Sequence, residues 1–141
     1  MSSYIPVNLQ KQIRDRFFNC CAYCRTIESL TVTIFEFEHI IPLLAGGETI
    51  FENLCLSCPS CNRYKGSRQT AIGPITDEEV RLFHPHLQVW TNHFTWSEDG
   101  TEIIGITPIA RATISTLKMN RLQLIRVRKM WVKMGEHPPS I

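Results

Sequence analysis

No stretch of the 141 residues approaches the roughly 20 consecutive apolar residues that a membrane-spanning helix needs, and no internal repeat or low-complexity tract interrupts the chain. The opening run MSSYIPVNLQKQ lacks the apolar core of a secretory signal, so a reducing, cytoplasmic setting is expected, without a membrane. Cysteine is missing after position 61: all six lie between positions 20 and 61, and a disulfide framework would staple only the first half. Acidic side chains are missing between Ile103 and Gly135, where Arg111, Lys118, Arg121, Arg126, Arg128, Lys129 and Lys133 stand. The formal net charge of +2 hides that local asymmetry. A chain of this length is expected to form one domain, 1–141, with a modest core that would gain from a metal staple.

Such a staple is available. Cys21/Cys24 and Cys58/Cys61 are two CxxC pairs with the spacing of a tetrahedral structural zinc site, in which four sulfurs close the coordination sphere. Cys55 forms a further CxxC with Cys58, so this spacing leaves a second ligand choice open. Between the pairs lies Glu38-His39-Ile40-Ile41-Pro42, and Asn62 follows the last cysteine. With the metal closed by sulfur, Glu38, His39 and Asn62 are free for chemistry. A carboxylate and an amide oxygen are hard ligands suited to a magnesium-like ion, and a histidine beside them can act as a base on water.

Along the chain, Asn8 is expected to cap a helix with Leu9, Ile13 and Phe17 on its apolar face. Thr31 to Glu38 alternates and is rich in β-branched and aromatic residues, which predicts a strand ending at Glu38 and His39. Those two neighbours would point to opposite faces unless the backbone departs from strand geometry, and Pro42 with Gly46-Gly47 is consistent with such a departure. A second strand is expected around Leu54 to Ser57, then a short helix from Cys61 to Lys65. Gly66 to Pro74 is expected to be a surface loop. Thr76 with Glu79 has the form of a capping box and predicts a short helix. Leu87 to Trp96 and Thr101 to Thr107 predict a hairpin closed by Asp99-Gly100. Helices should follow, one opened by Thr107-Pro108 and one capped by Asn120 and running to about Met134.

CAYC at 21–24, FEFEHIIPL at 35–43, Gly46-Gly47, Glu52-Asn53-Leu54 and CPSCNRYKGS at 58–67 stand in one order, and in that order the sequence resembles the HNH endonucleases of the ββα-metal fold. The resemblance covers roughly residues 13–68. It implies an α+β protein whose 13–68 nuclease core is pinned by structural zinc on Cys21, Cys24, Cys58 and Cys61, followed by a hairpin and helical extension over 76–141. It favours Cys58/Cys61 over Cys55, because Asn62 must follow the final ligand, and leaves Cys20 and Cys55 as small buried residues. It further implies His39 as general base, Asn53 as the residue orienting the loop that carries the base, and Glu38 with Asn62 as holders of a catalytic divalent ion. Position 38 is Glu where Asp is frequent, and position 62 is Asn where the motif's last letter is His. An amide oxygen there favours magnesium or manganese over zinc. The implied reaction is hydrolysis of DNA, with RNA as the other candidate, leaving a 5′ phosphate and a 3′ hydroxyl.

Arg63, Lys65 and Arg68 sit just beyond the motif and could meet phosphate. Arg126, Lys129 and Lys133 fall on one helical stripe that could track a nucleic-acid backbone. The plainer reading of both groups is a solvated helix face, and a lone Glu-His pair at a strand end is usually just a solvated acid beside a hydrogen-bonded histidine. Two other functions fit the sequence: a non-catalytic zinc-knuckle binding module, and a small subunit docking through Trp90, Trp96 and the hairpin.

Overall fold

The computed structural model describes residues 4–141, which group into two compact units, one ending at Ser67 and one beginning at Arg68. The architecture of the described residues is α+β: helices mixed with three separate two-stranded antiparallel sheets.

The first unit opens with helix α1 (Val7–Arg16), which buries Ile13. Its N-cap is Pro6 and has no side-chain cap, so Asn8 lies inside the first turn and does not cap it as expected. Phe18 and Asn19 then take left-handed conformations that end the helix and bring the chain to the first cysteine pair. Strand β1 (Glu36–His39) pairs with β2 (Leu54–Ser57) in the register Glu36 with Ser57 through His39 with Leu54. Helix α2 (Pro59–Lys65) follows at once, with Cys58 at its N-cap and Pro59 at the first helical position, where a missing N–H costs nothing.

The expected strand from Thr31 is much shorter, and the reason is local. Arg14 grips the Glu28 carboxylate with Nε at 3.1 Å and Nη2 at 2.8 Å, and that carboxylate accepts the Phe35 amide at 2.7 Å. The Phe35 N–H is therefore engaged before a ladder can use it. Thr31 Oγ1 meanwhile binds Glu28 O and the Thr33 amide, which turns the chain and leaves Val32 and Ile34 exposed.

In the second unit β3 (Thr70–Ile72) pairs with β4 (Glu79–Arg81). Part of the expected 66–74 loop is thus a strand, and the expected Thr76 helix is replaced by this hairpin. Asp77 is left-handed, φ 58°, a conformation no helix continues. The Thr76 hydroxyl accepts the Glu78 amide within the turn instead of capping. Strands β5 (Phe94–Trp96) and β6 (Ile103–Gly105) form the expected hairpin, with Gly100 at φ 76° in its turn. It is shorter than the sequence suggested, because Trp90–Asn92 is a 3-10 turn. Helix α3 (Pro108–Leu117) is capped by Thr107, whose hydroxyl accepts the Ala110 amide at 3.1 Å. Helix α4 (Leu122–Lys133) has Arg121 at its N-cap. Asn120 does not cap it: its amide clamps β6, accepting Ile103 N and donating to Ile103 O, both at 2.8 Å. Phe83, Trp90, Phe94, Ile103, Leu117, Met119 and Trp131 are buried in this unit.

Candidate metal centre and active site

Cys21, Cys24, Cys58 and Cys61 converge, with all four sulfurs within 4.8 Å of one another and all four residues buried. The converging set excludes Cys55. Cys24 Sγ and Cys58 Sγ are 3.8 Å apart, which is the edge of a sulfur tetrahedron about a centre roughly 2.3 Å from each ligand, the zinc–thiolate length. Two pieces of backbone set this up. Ala22 donates to Leu56 O at 2.7 Å, stitching the first knuckle to β2, and Cys58 Sγ accepts the Cys61 amide at 3.4 Å as the α2 cap. The thiols do not titrate alike. Hydrogen bonds from Cys21, Cys58 and Cys61 hold Cys24 well below the ordinary thiol range, burial pushes Cys21 up, and the bonds Cys61 gives its neighbours push it up too. Bringing all four sulfurs to the thiolate form in this space would take a cation among them. Cys20 and Cys55 are buried outside the cluster, and burial raises Cys20 to about 11.

Strand β1 is regular through its end, so its side chains alternate. Glu36 and Glu38 lie on one face, where α2 presents Asn62 and Lys65 one helical turn apart. Two rungs result. In the outer rung, Asn62 Nδ2 donates to Glu36 Oε1; Glu36 is exposed and Asn62 half-buried. In the inner rung, Lys65 Nζ meets Glu38 Oε1 at 2.8 Å, with both side chains almost wholly buried. Glu38 Oε2 accepts the Tyr23 hydroxyl at 2.7 Å and the Cys55 thiol at 3.3 Å, and Lys65 also donates to Ile40 O at 3.0 Å.

This arrangement departs from the expected site twice. The carboxylate beside Asn62 is Glu36, not Glu38. Lys65 does not face phosphate, because its ammonium is buried against Glu38 and the strand end. The missed pairing carried a signal: Glu36 stands two positions before Glu38, the spacing that shares a strand face, and Asn62 and Lys65 have the matching helical spacing.

His39 leaves the opposite face and is half-buried, with Nε2 2.9 Å from Thr49 Oγ1. Desolvation lowers its pKa below the ordinary histidine value, partly offset by the nearby Glu38 charge, so the ring is neutral at neutral pH. Asn53, buried, organises the loop that follows. Its Oδ1 accepts Ile41 N at 2.8 Å, and its Nδ2 donates to Ile41 O at 3.1 Å and Glu48 O at 2.9 Å. Gly46, at φ 90°, turns that loop, and Gly47 fills a position where a Cβ would lie 1.8 Å from Ile41 O. The Gly46-Gly47 pair thus meets two separate demands, conformation and space.

Arg63 and Arg68 are exposed, as are Arg126, Lys129 and Lys133 on α4. Arg128 is a core strut: fully buried, it donates to Thr101 O, Asn120 Oδ1 and Met119 O, and its guanidinium lies over the Trp96 ring. Trp90 is buried too, which removes it from the expected docking surface. No helix among the described residues is long and apolar enough to cross a membrane.

Residues 21–68 match the family model of the HNH endonucleases. A comparison with characterised proteins finds no match, and neither does one with solved structures.

Proposed function

We propose, from the match of residues 21–68 to the HNH endonuclease family model, that the chain hydrolyses phosphodiester bonds of DNA with His39 as the general base. The observation that supports this most is the state of His39. It sits at a strand end with one ring nitrogen occupied by Thr49 and a pKa lowered by desolvation, so a neutral imidazole is available to take a proton from water. Asn53 holds the loop beyond it. The cysteine cluster holds a structural ion, read as zinc, which fixes the first knuckle against β2 and the second at the start of α2.

A divalent ion such as magnesium, when bound, stabilises charge on the leaving oxygen. The residues available to hold it on the α2 side are Asn62, through its amide oxygen, and Glu36, both hard donors and both reachable from solvent. Glu38, the carboxylate that the resemblance implies, is already neutralised by Lys65 and bound by Tyr23 and Cys55. Arg63 and Arg68, and separately Arg126, Lys129 and Lys133, are the cations proposed to contact the nucleic-acid backbone.

The engagement of Glu38 favours a second reading, a zinc-knuckle module that binds nucleic acid without cutting it. A plasmid-nicking assay separates the two. The zinc-loaded chain should nick supercoiled DNA with magnesium or manganese, stop when the added ion is chelated, and lose the activity in His39→Ala. Binding without nicking under every ion tested would establish the module instead.

A further inference from the structure

Two contacts of Asn53 reach two different places. Through Ile41 N and Ile41 O it fixes the chain two residues after His39, and through Glu48 O it fixes the chain one residue before Thr49. Gly47 N donates to Pro42 O at 3.0 Å, and Gly47 has no room for a side chain against Ile41 O. The loop between His39 and Thr49 is therefore closed on itself and braced at both ends by one amide. Thr49 delivers a hydroxyl 2.9 Å from His39 Nε2.

Resting on the endonuclease reading above, we infer that Thr49 is a positioning residue for the base: its hydroxyl accepts the His39 Nε2 proton, which fixes the neutral tautomer and the ring angle and leaves Nδ1 as the nitrogen that takes the proton from water. The chemistry is that of any base oriented by a third group. A neutral imidazole carries one N–H and one lone pair, and the partner of one nitrogen decides which role falls to the other. A threonine hydroxyl can accept this proton while donating its own elsewhere. The proton balance is simple. Nδ1 gains a proton from water as the water oxygen bonds to phosphorus, the bond from phosphorus to the 3′ oxygen breaks and that oxygen takes a proton from solvent, and the Nε2 proton never leaves the ring, so Thr49 steadies the imidazolium without being a catalytic residue. In this scheme Asn53 acts on His39 through Thr49, since it holds both partners of that hydrogen bond in register.

The test uses the full, zinc-loaded chain and three variants: Thr49→Val, which keeps the shape and removes the hydroxyl, Thr49→Ser, which keeps the hydroxyl, and His39→Gln to assign the ring signals. Nitrogen-15 NMR of labelled histidine is recorded at about pH 8, above the ordinary histidine pKa of about 6.5. The parent and Thr49→Ser should show a protonated Nε2 and an unprotonated Nδ1 for His39, and Thr49→Val a mixture of tautomers. Single-turnover nicking with manganese should fall on the order of 10- to 100-fold in Thr49→Val, the scale of a misplaced reacting group, with DNA affinity and zinc content unchanged. Thr49→Ser should recover most of that loss. An unaltered nitrogen pattern in Thr49→Val, or a parent ring protonated on Nδ1, overturns the inference. If the parent never nicks DNA, the endonuclease reading falls, while the NMR arm still decides whether Thr49 sets the ring.

Discussion

At the residue scale the two faces of β1 do different work. If His39 is the base proposed above, its desolvation sets a pH dependence with a definite sign. The folded-state pKa lies below the ordinary value of about 6.5, so the base is fully competent above that value and is lost only as pH falls through the lowered one. The acidic limb of single-turnover nicking, measured with saturating manganese, should have its midpoint below 6.5; a midpoint above 7 would mean that a neighbouring negative charge outweighs desolvation. On the other face, Glu38 and Lys65 are a buried pair, and removing one partner strands the other without solvent. Glu38→Gln or Lys65→Met alone should cost about 3–5 kcal/mol, whereas Glu38→Leu with Lys65→Met should recover much of it. Chemical denaturation of the four proteins measures this. Glu36→Gln should leave stability near the parent and weaken manganese binding, read from the signal of free aqueous manganese. If manganese binding were lost in Glu38→Gln and kept in Glu36→Gln, the buried pair would have to open to admit the ion.

At the element scale the four-cysteine cluster staples the first unit. Cys58 closes the sulfur cluster and also caps α2, so Cys58→Ser should release metal and loosen β2 and α2 together, seen as lost zinc and lost ellipticity before any rate is measurable. Cys55→Ser should keep its zinc, because Cys55 touches Glu38 and lies outside the cluster. In this part of the fold the CxxC spacing was legible in sequence because it is a local signal, and so were the 54–57 strand, the 94–105 hairpin and the Thr107 cap with the proline after it. Two of the failures share one physical cause, a side chain engaged by another segment: Glu28 took the Phe35 amide and shortened β1, and Asn120 clamped Ile103 and left α4 to Arg121. The third lies in the backbone, where left-handed Asp77 turned a capping box into a hairpin. At the candidate site, the cluster was legible from CxxC spacing, whereas the roles of His39 and Asn53 came only from the resemblance. The pairing of Asn62 with Glu36, and the burial of Lys65, needed the register of α2 on β1.

At the scale of the whole molecule, the charge pattern that the net value conceals becomes testable. Of the seven basic residues between Ile103 and Gly135, Arg128 is a buried strut and cannot meet solvent or phosphate. Arg126, Lys129 and Lys133 remain exposed on α4 at spacings of three and four, one stripe of a helix. No ion pair neutralises that stripe among the described residues. If each of the three meets one phosphate, replacing all of them with Gln should flatten the log–log salt dependence of duplex affinity by roughly 0.9 per lost contact, nearly 3 altogether. A stripe that meets only phosphates reads no base edges, so affinity should fall by a similar factor on every sequence, and nicking of saturated substrate should stay near the parent rate. Arg128→Gln provides the contrast. Losing its bonds to Thr101, Asn120 and Met119 should lower the melting temperature while leaving the salt slope of the remaining folded protein alone. Fluorescence anisotropy of a labelled duplex between about 50 and 200 mM salt gives the slopes, and an unchanged slope in the triple variant would assign the stripe to solvent.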